Sequence, residues 1–210
     1  MRSATQSARV LDIHIDSKLS WNLHGEALAT RLCRAVFLLR RVSCTVDCDA
    51  LRMTYFAVFH SLISYCVMIW GHSAMCGRIF ALQRRAVRIV AGIGFREDCK
   101  HAFVSLGILT LPSLYIYRCL QYIKKNITQY NTNNSIHDHN TRGKDDLRAE
   151  KQRINKGRCS TNYWAVRFHN CLPENVRQMP GGIFEKRVKK FLLDNAFYCF
   201  NDYIQKARLM

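Results

Sequence analysis

LRMTYFAVFHSLISYCVMIW, Leu51–Trp70, is the stretch on which the reading of this chain turns. After Arg52 no Asp, Glu, Lys or Arg follows until Arg78. A run with so little charge has to be buried in something. It falls just short of the roughly 20 apolar residues needed to cross a bilayer. Thr54, His60, Ser61, Ser64 and Tyr65 interrupt it, and on a lipid-facing helix those side chains would have no water. The run therefore reads as a central helix covered by its neighbours, and the other helices read as its wrapping. The rejected alternative, a membrane protein built on this helix, would partition into detergent.

Working outward, the 210 residues are 49% hydrophobic, enough for a real core. The net charge is +17, from 32 Lys and Arg against 15 Asp and Glu. Charge on that scale points to a polyanionic partner, nucleic acid first and an anionic membrane surface second. Ten cysteines are present, but the leading MRSATQSARV has no apolar segment of the secretory kind. Cys33, Cys66, Cys119 and Cys199 lie in apolar helical patterns, where a thiol acts as a small hydrophobe. The expectation is a reduced intracellular compartment, nuclear or cytoplasmic, and not a secreted protein.

Before the central run, VLDIHI, residues 10–15, alternates with period two and predicts a half-buried strand, a remnant occupying residues 1–19. Ser20 is a candidate N-cap for a helix carrying Leu28, Leu32, Ala35, Val36 and Leu39 and ending in Arg40 and Arg41. After it, Lys100 to Leu106 predicts a short helix, and Pro112 heads another that reaches Lys125. Residues 20–127 thus form one helical domain. Residues 128–161 are rich in Asn and charge and carry no period, so they read as a polar basic linker. In the remaining segment, 162–210, Tyr163 to Phe168 suits a strand or a short helix. Phe184, Val188, Phe191 and Leu192 mark a final amphipathic helix.

GRIFALQRRAVRIVA, residues 77–91, is the most informative helix. Ile79, Phe80, Leu82, Ala86, Val87, Ile89 and Val90 fall on one half of its wheel, and Arg78, Arg84, Arg85 and Arg88 crowd into about a third of the turn on the other. No acidic residue lies on this helix, whereas a merely solvated face mixes signs, so a phosphate-tracking face is favoured. Gly92 supplies a left-handed stop. Further nucleic-acid-binding candidates are Arg142, Lys144, Arg148, Lys151 and Arg153 in the linker, with Lys156 and Arg158 beyond them, and Lys186, Lys189 and Lys190 on the last helix.

Catalytic chemistry is not legible. Nucleotidyl transfer needs paired carboxylates holding divalent metal between apolar strands. The adjacent pair here, Asp145-Asp146, sits in a polar basic segment, and Asp12 and Asp16 are isolated. Cys44-x3-Cys48, His137-x-His139 and His169-x-Cys171 do not combine into a zinc quartet at usual spacing. Gly92-Ile93-Gly94 follows a helix, not a strand, so it is no phosphate-cradling loop. The expected catalytic and metal sets are both empty.

Several segments taken together resemble a known family. VLDIHIDSKLSW, LRMTYFAVFHSLISYCVMIWG, RIFALQRRAVRIVAG, LGILTLPSLYIY, HNCLPENVR and FEKRVKKFLLDNAFY are similar, in order, to the C-terminal part of reverse transcriptases from non-LTR retrotransposons of the jockey-like group. The resemblance implies a mainly α-helical fold: a helical bundle like a polymerase thumb, a vestigial N-terminal β-strand from the end of the palm, and a small α(+β) C-terminal region. It implies that the thumb holds an RNA and DNA primer–template duplex, which gives the arginine helix its role, with magnesium bound elsewhere in the intact enzyme. Two departures stand out. The family has aromatic-Leu-Gly where this chain has Val10-Leu11-Asp12, and losing that glycine leaves the tight hairpin there an open question. The Tyr/Phe-Ala-Asp-Asp catalytic motif belongs upstream of Met1. The expectation is therefore a truncated retrotransposon polymerase, lacking its palm and fingers partners and inactive alone. The alternative is a stand-alone nucleic-acid-binding protein derived from such an element.

Overall fold

The computed structural model describes residues 7–135, 144–148 and 160–210. The chain is mainly helical and divides into two compact units at the Leu111–Pro112 junction. That division falls in the first turn of the helix Leu111–Lys125, whereas the sequence pattern suggested a boundary near 127.

The first unit opens with a hairpin in place of the single strand expected over 10–15. Strands β1 (Ser7–Val10) and β2 (Ile13–Asp16) pair antiparallel, with Ser7 opposite Asp16 and Val10 opposite Ile13. Leu11 and Asp12 form the turn at φ 47° and 66°. A two-residue hairpin turn needs positive φ at both central positions, which glycine or asparagine adopts most easily. The tight hairpin therefore forms without its glycine. Both Arg9 and Arg31 donate to the Asp12 carboxylate across the turn, and these bonds hold the Asp12 carboxyl below the usual carboxylate range.

Helix α1 (Asn22–Val42) buries Leu28, Leu32, Ala35, Val36 and Leu39 as its spacing predicts. Ser20 does not cap it. Its hydroxyl donates to Asp16 Oδ2 at 2.5 Å, while Asp16 Oδ1 accepts from the backbone N–H groups of Lys18 and Ser20, both at 2.9 Å. Asp16 closes this turn, and Trp21, at φ 62°, leads into the helix. Of the cysteines read as small core hydrophobes, Cys119 is buried and Cys66 half-buried, but Cys33 and Cys199 are exposed.

The central run is helical but not one helix. Helix α2 (Cys48–Tyr55) starts at Asp47, whose side chain accepts from Ala50 N, and continues through a π turn (Phe56–His60) into α3 (Ser61–Ser64). The chain then breaks at Tyr65, which is extended, and Cys66, at φ 49°, before α4 (Val67–Trp70). The buried residues recur at every fourth position: Leu51, Tyr55, Phe59, Ile63 and Val67. A pure α-helix would carry such a row about 40° round its axis every four residues. The wider π turn takes up that drift and keeps the row facing inward. At the break, Trp70 Nε1 donates to the Tyr65 carbonyl at 3.1 Å, and the Tyr65 hydroxyl donates to the Leu11 carbonyl at 2.8 Å. Among the described residues no helix is long and apolar enough to cross a membrane.

Helix α5 (Cys76–Ala91) packs on α1 and α2, and α6 (Lys100–Ser105) follows it.

The second unit is built on α7 (Leu111–Lys125), α8 (Thr161–Asn170), α9 (Glu174–Arg177), α10 (Gly181–Asn195) and α11 (Phe200–Ala207). Ser160 accepts from Tyr163 N to start α8, so Tyr163 to Phe168 is helix and not strand. Tyr115 stacks on Phe200 at 5.3 Å, and Phe168 meets Phe200 and Tyr203 edge-on. Lys124 on α7 reaches the Arg177 carbonyl at 2.7 Å. The expected linker has structure where it is described. Thr132 bridges Leu147, Leu147 is buried, and Asn170 of α8 bonds both its N–H and its carbonyl, at 3.0 and 2.8 Å.

Two tests follow from this architecture. Leu11 is 81% exposed, so Leu11→Asn loses no packing and relieves the turn, and should raise stability by about 1 kcal/mol in a urea titration. In the second unit His169 is 4% exposed, its Nδ1 has no hydrogen-bond partner among the described residues, and burial depresses its pKa to about 4. A folded value below the unfolded one means the unfolded state binds the proton first. Stability is therefore full above about pH 6.5 and falls as pH drops toward 4, by roughly 3 kcal/mol in total. Denaturation of His169→Gln should show a flatter acid limb.

Candidate nucleic-acid interface

Helix α5 sorts its side chains into two faces. Ile79, Phe80, Gln83, Ala86, Val87 and Val90 are buried. Leu82 and Ile89, which share the apolar half of the wheel, lie at its edge and are half-buried, while the centre of the inward face belongs to Gln83. Its amide is fully used. Nε2 donates to the Tyr55 hydroxyl at 3.0 Å and to the Leu109 carbonyl at 2.9 Å, and Oε1 accepts from Leu111 N at 2.7 Å. One side chain thus joins α5 to α2 and to the backbone at Leu109 and Leu111. Burial pushes the Tyr55 phenol well up, so it stays protonated. The sequence reading missed Gln83, and its one available signal was a polar residue amid apolar positions of the same phase.

The opposite face carries the cations. Arg78, Arg84, Arg85 and Arg88 all line one groove of about 510 Å³, together with Ala81, Leu82, Cys33 and Phe95. Arg78 is exposed and the other three are half-buried. Arg84 sits over the Phe80 ring at 5.2 Å, which holds its guanidinium against the helix. Arg88 Nε donates to the Glu97 carbonyl at 2.8 Å. The buried Nε of Arg85 has no hydrogen-bond partner among the described residues. Among those residues Arg78, Arg85 and Arg88 are paired with no carboxylate. Gly92, at φ 66°, ends the helix, and Ile93 N–H closes back on the Arg88 carbonyl at 3.1 Å.

The remaining candidates are scattered. Lys144 and Arg148 are exposed, and Arg148 lines a separate polar cleft with Tyr122, Gln129, Tyr130, Asn131 and Asn162. Lys186, Lys189 and Lys190 are exposed on α10 in the second unit. Arg142, Lys151 and Arg153, like Lys156 and Arg158, lie outside the described residues, as do His137 and His139.

Among the described residues no set of ligands suits magnesium. Asp146 is held by Arg177 at 2.8 Å, and among the described residues no group of three His, Cys, Asp or Glu could hold a metal ion. No step is therefore derived through a metal on this chain. No protein-family model, curated protein or solved structure matches the chain.

Gln83→Leu keeps the volume near constant but leaves the Tyr55 hydroxyl, the Leu109 carbonyl and the Leu111 N–H without their partner. It should cost about 3 kcal/mol by chemical denaturation, whereas the exposed Arg78→Gln should change stability by less than about 0.5 kcal/mol.

Proposed function

We propose that the groove on α5 binds the phosphate backbone of nucleic acid, and that this chain is the thumb and post-thumb part of a non-LTR retrotransposon reverse transcriptase. In that setting the ligand is a primer–template duplex of RNA and DNA. The observation that carries the reading is the gathering of four arginines into one groove on a helix without acidic residues. Guanidinium groups give forked donors that suit phosphate oxygens, and neutralising phosphates releases condensed counterions. The net charge of +17 adds long-range attraction of the same sign. Support for the particular family is the ordered set of sequence segments described above. A thumb needs no catalytic carboxylates, so its contribution is to hold and orient the duplex for a palm supplied elsewhere, in the nucleus or cytoplasm.

The test is fluorescence anisotropy with a labelled RNA–DNA hybrid over a salt series. Changing Arg84, Arg85 and Arg88 together to Glu should lower affinity roughly a hundredfold or more and reduce the salt slope by about 3. An unchanged affinity would remove α5 from the interface. Primer extension with added magnesium should give no product from this chain, and template-dependent product above a blank would overturn the thumb reading.

A further inference from the structure

The arginine groove holds a side chain that phosphate binding does not explain. Phe95 lines the same groove as Arg78, Arg84, Arg85 and Arg88, and it is 72% exposed. Its position is built. Gly92 ends α5 at φ 66°, and the chain then turns over Gly94–Glu97, where Glu97 N donates to the Gly94 carbonyl at 3.2 Å. The Glu97 carboxylate accepts from Gly94 N at 3.0 Å, and Arg88 donates to the Glu97 carbonyl at 2.8 Å. One of the groove's own arginines thus anchors the turn that carries the ring. In this loop the Glu97 carboxylate serves Gly94 N–H, and Asp98 Oδ1 accepts from Lys100 N at 3.2 Å. Arg96, next to Phe95, is exposed and adds a cation.

An aromatic face at the end of a cationic track suits the two parts of a nucleotide, the ring for a base and the guanidinium groups for phosphates. Bases inside a duplex show only their edges in the grooves, and their faces are covered by their neighbours. A ring outside the helix stack can therefore be met only by an unpaired or terminal base. We infer that Phe95 is a stacking platform for an unpaired nucleotide adjoining the strand whose phosphates lie along α5. This rests on the reading of α5 as a phosphate-binding face and adds to it a preference for a duplex that continues into single strand.

Two ligands test it: a blunt RNA–DNA hybrid, and the same hybrid with a short single-stranded extension carrying 2-aminopurine at its first unpaired position. The parent protein should bind the extended hybrid more tightly and quench the 2-aminopurine. Phe95→Ala should weaken binding of the extended hybrid about tenfold, abolish the quenching and leave the salt slope unchanged, with a smaller loss on the blunt hybrid, which offers only its terminal base pair to the ring. Phe95→Trp should restore affinity and quenching. Thermal melting should match the parent for both variants, since the ring is exposed. If Phe95→Ala behaves as the parent on both ligands while the triple Arg84, Arg85, Arg88→Glu variant loses affinity, the platform is overturned and the phosphate-binding reading stands. If the triple variant also binds unchanged, both fall together.

Discussion

The hydrogen-bonding demand of one buried amide governs the first unit. Gln83 sits at the centre of the inward face of α5, where an unpaired amide would be costly, and its partners come from α2 and from residues 109 and 111. Apolar packing alone lets a helix slide or turn by small amounts, because one methyl group is much like another. Three directional bonds do not. Gln83 therefore sets both the rotation of α5 about its axis and its position along it, and the arginines on the far side point where that rotation sends them.

The most apolar part of the chain answers a different constraint. A row of five large residues spaced every four positions fits no straight α-helix over its four repeats, and the structure meets it with a π turn and then a break at Tyr65 and Cys66. The break is itself used: Tyr65 ties the run to the hairpin turn, and Trp70 closes over it.

Much of this was legible in the sequence. The periodicity located α1, α5, α6, α7 and α10, and the four arginines on one face of α5 were readable from spacing alone. What escaped notice was set by partners distant in sequence. Ser20 donates to Asp16 and keeps only a long 3.4 Å bond from Asn22 N, so Trp21 and not Ser20 stands at the N-cap position of α1. Leu147 gained a fixed place because Asn170 bonds both its backbone groups, and no local pattern announces that pairing. Arg9 and Arg31 supply bonds to Asp12 in a turn that lacks glycine. Gln83 shares the phase of the apolar positions, but spacing does not show which partners an amide there would meet, and Phe95 lies in a loop without any period. Periodicity reports which face is buried; it is silent on single polar residues and loops, whose roles depend on what the fold brings to them.

The locked rotation of α5 also limits how such a groove can change over generations. Replacing one arginine by another outward-facing residue alters the groove by degrees. Removing or adding one residue between Gln83 and Gly92 would turn everything beyond it by about 100°, carrying Arg88 toward the core and Val87 or Ile89 toward the groove. The helix is open to drift in composition and closed to drift in length. Variants of this sequence should therefore tolerate substitutions along the arginine face far better than an in-frame insertion or deletion within the same helix.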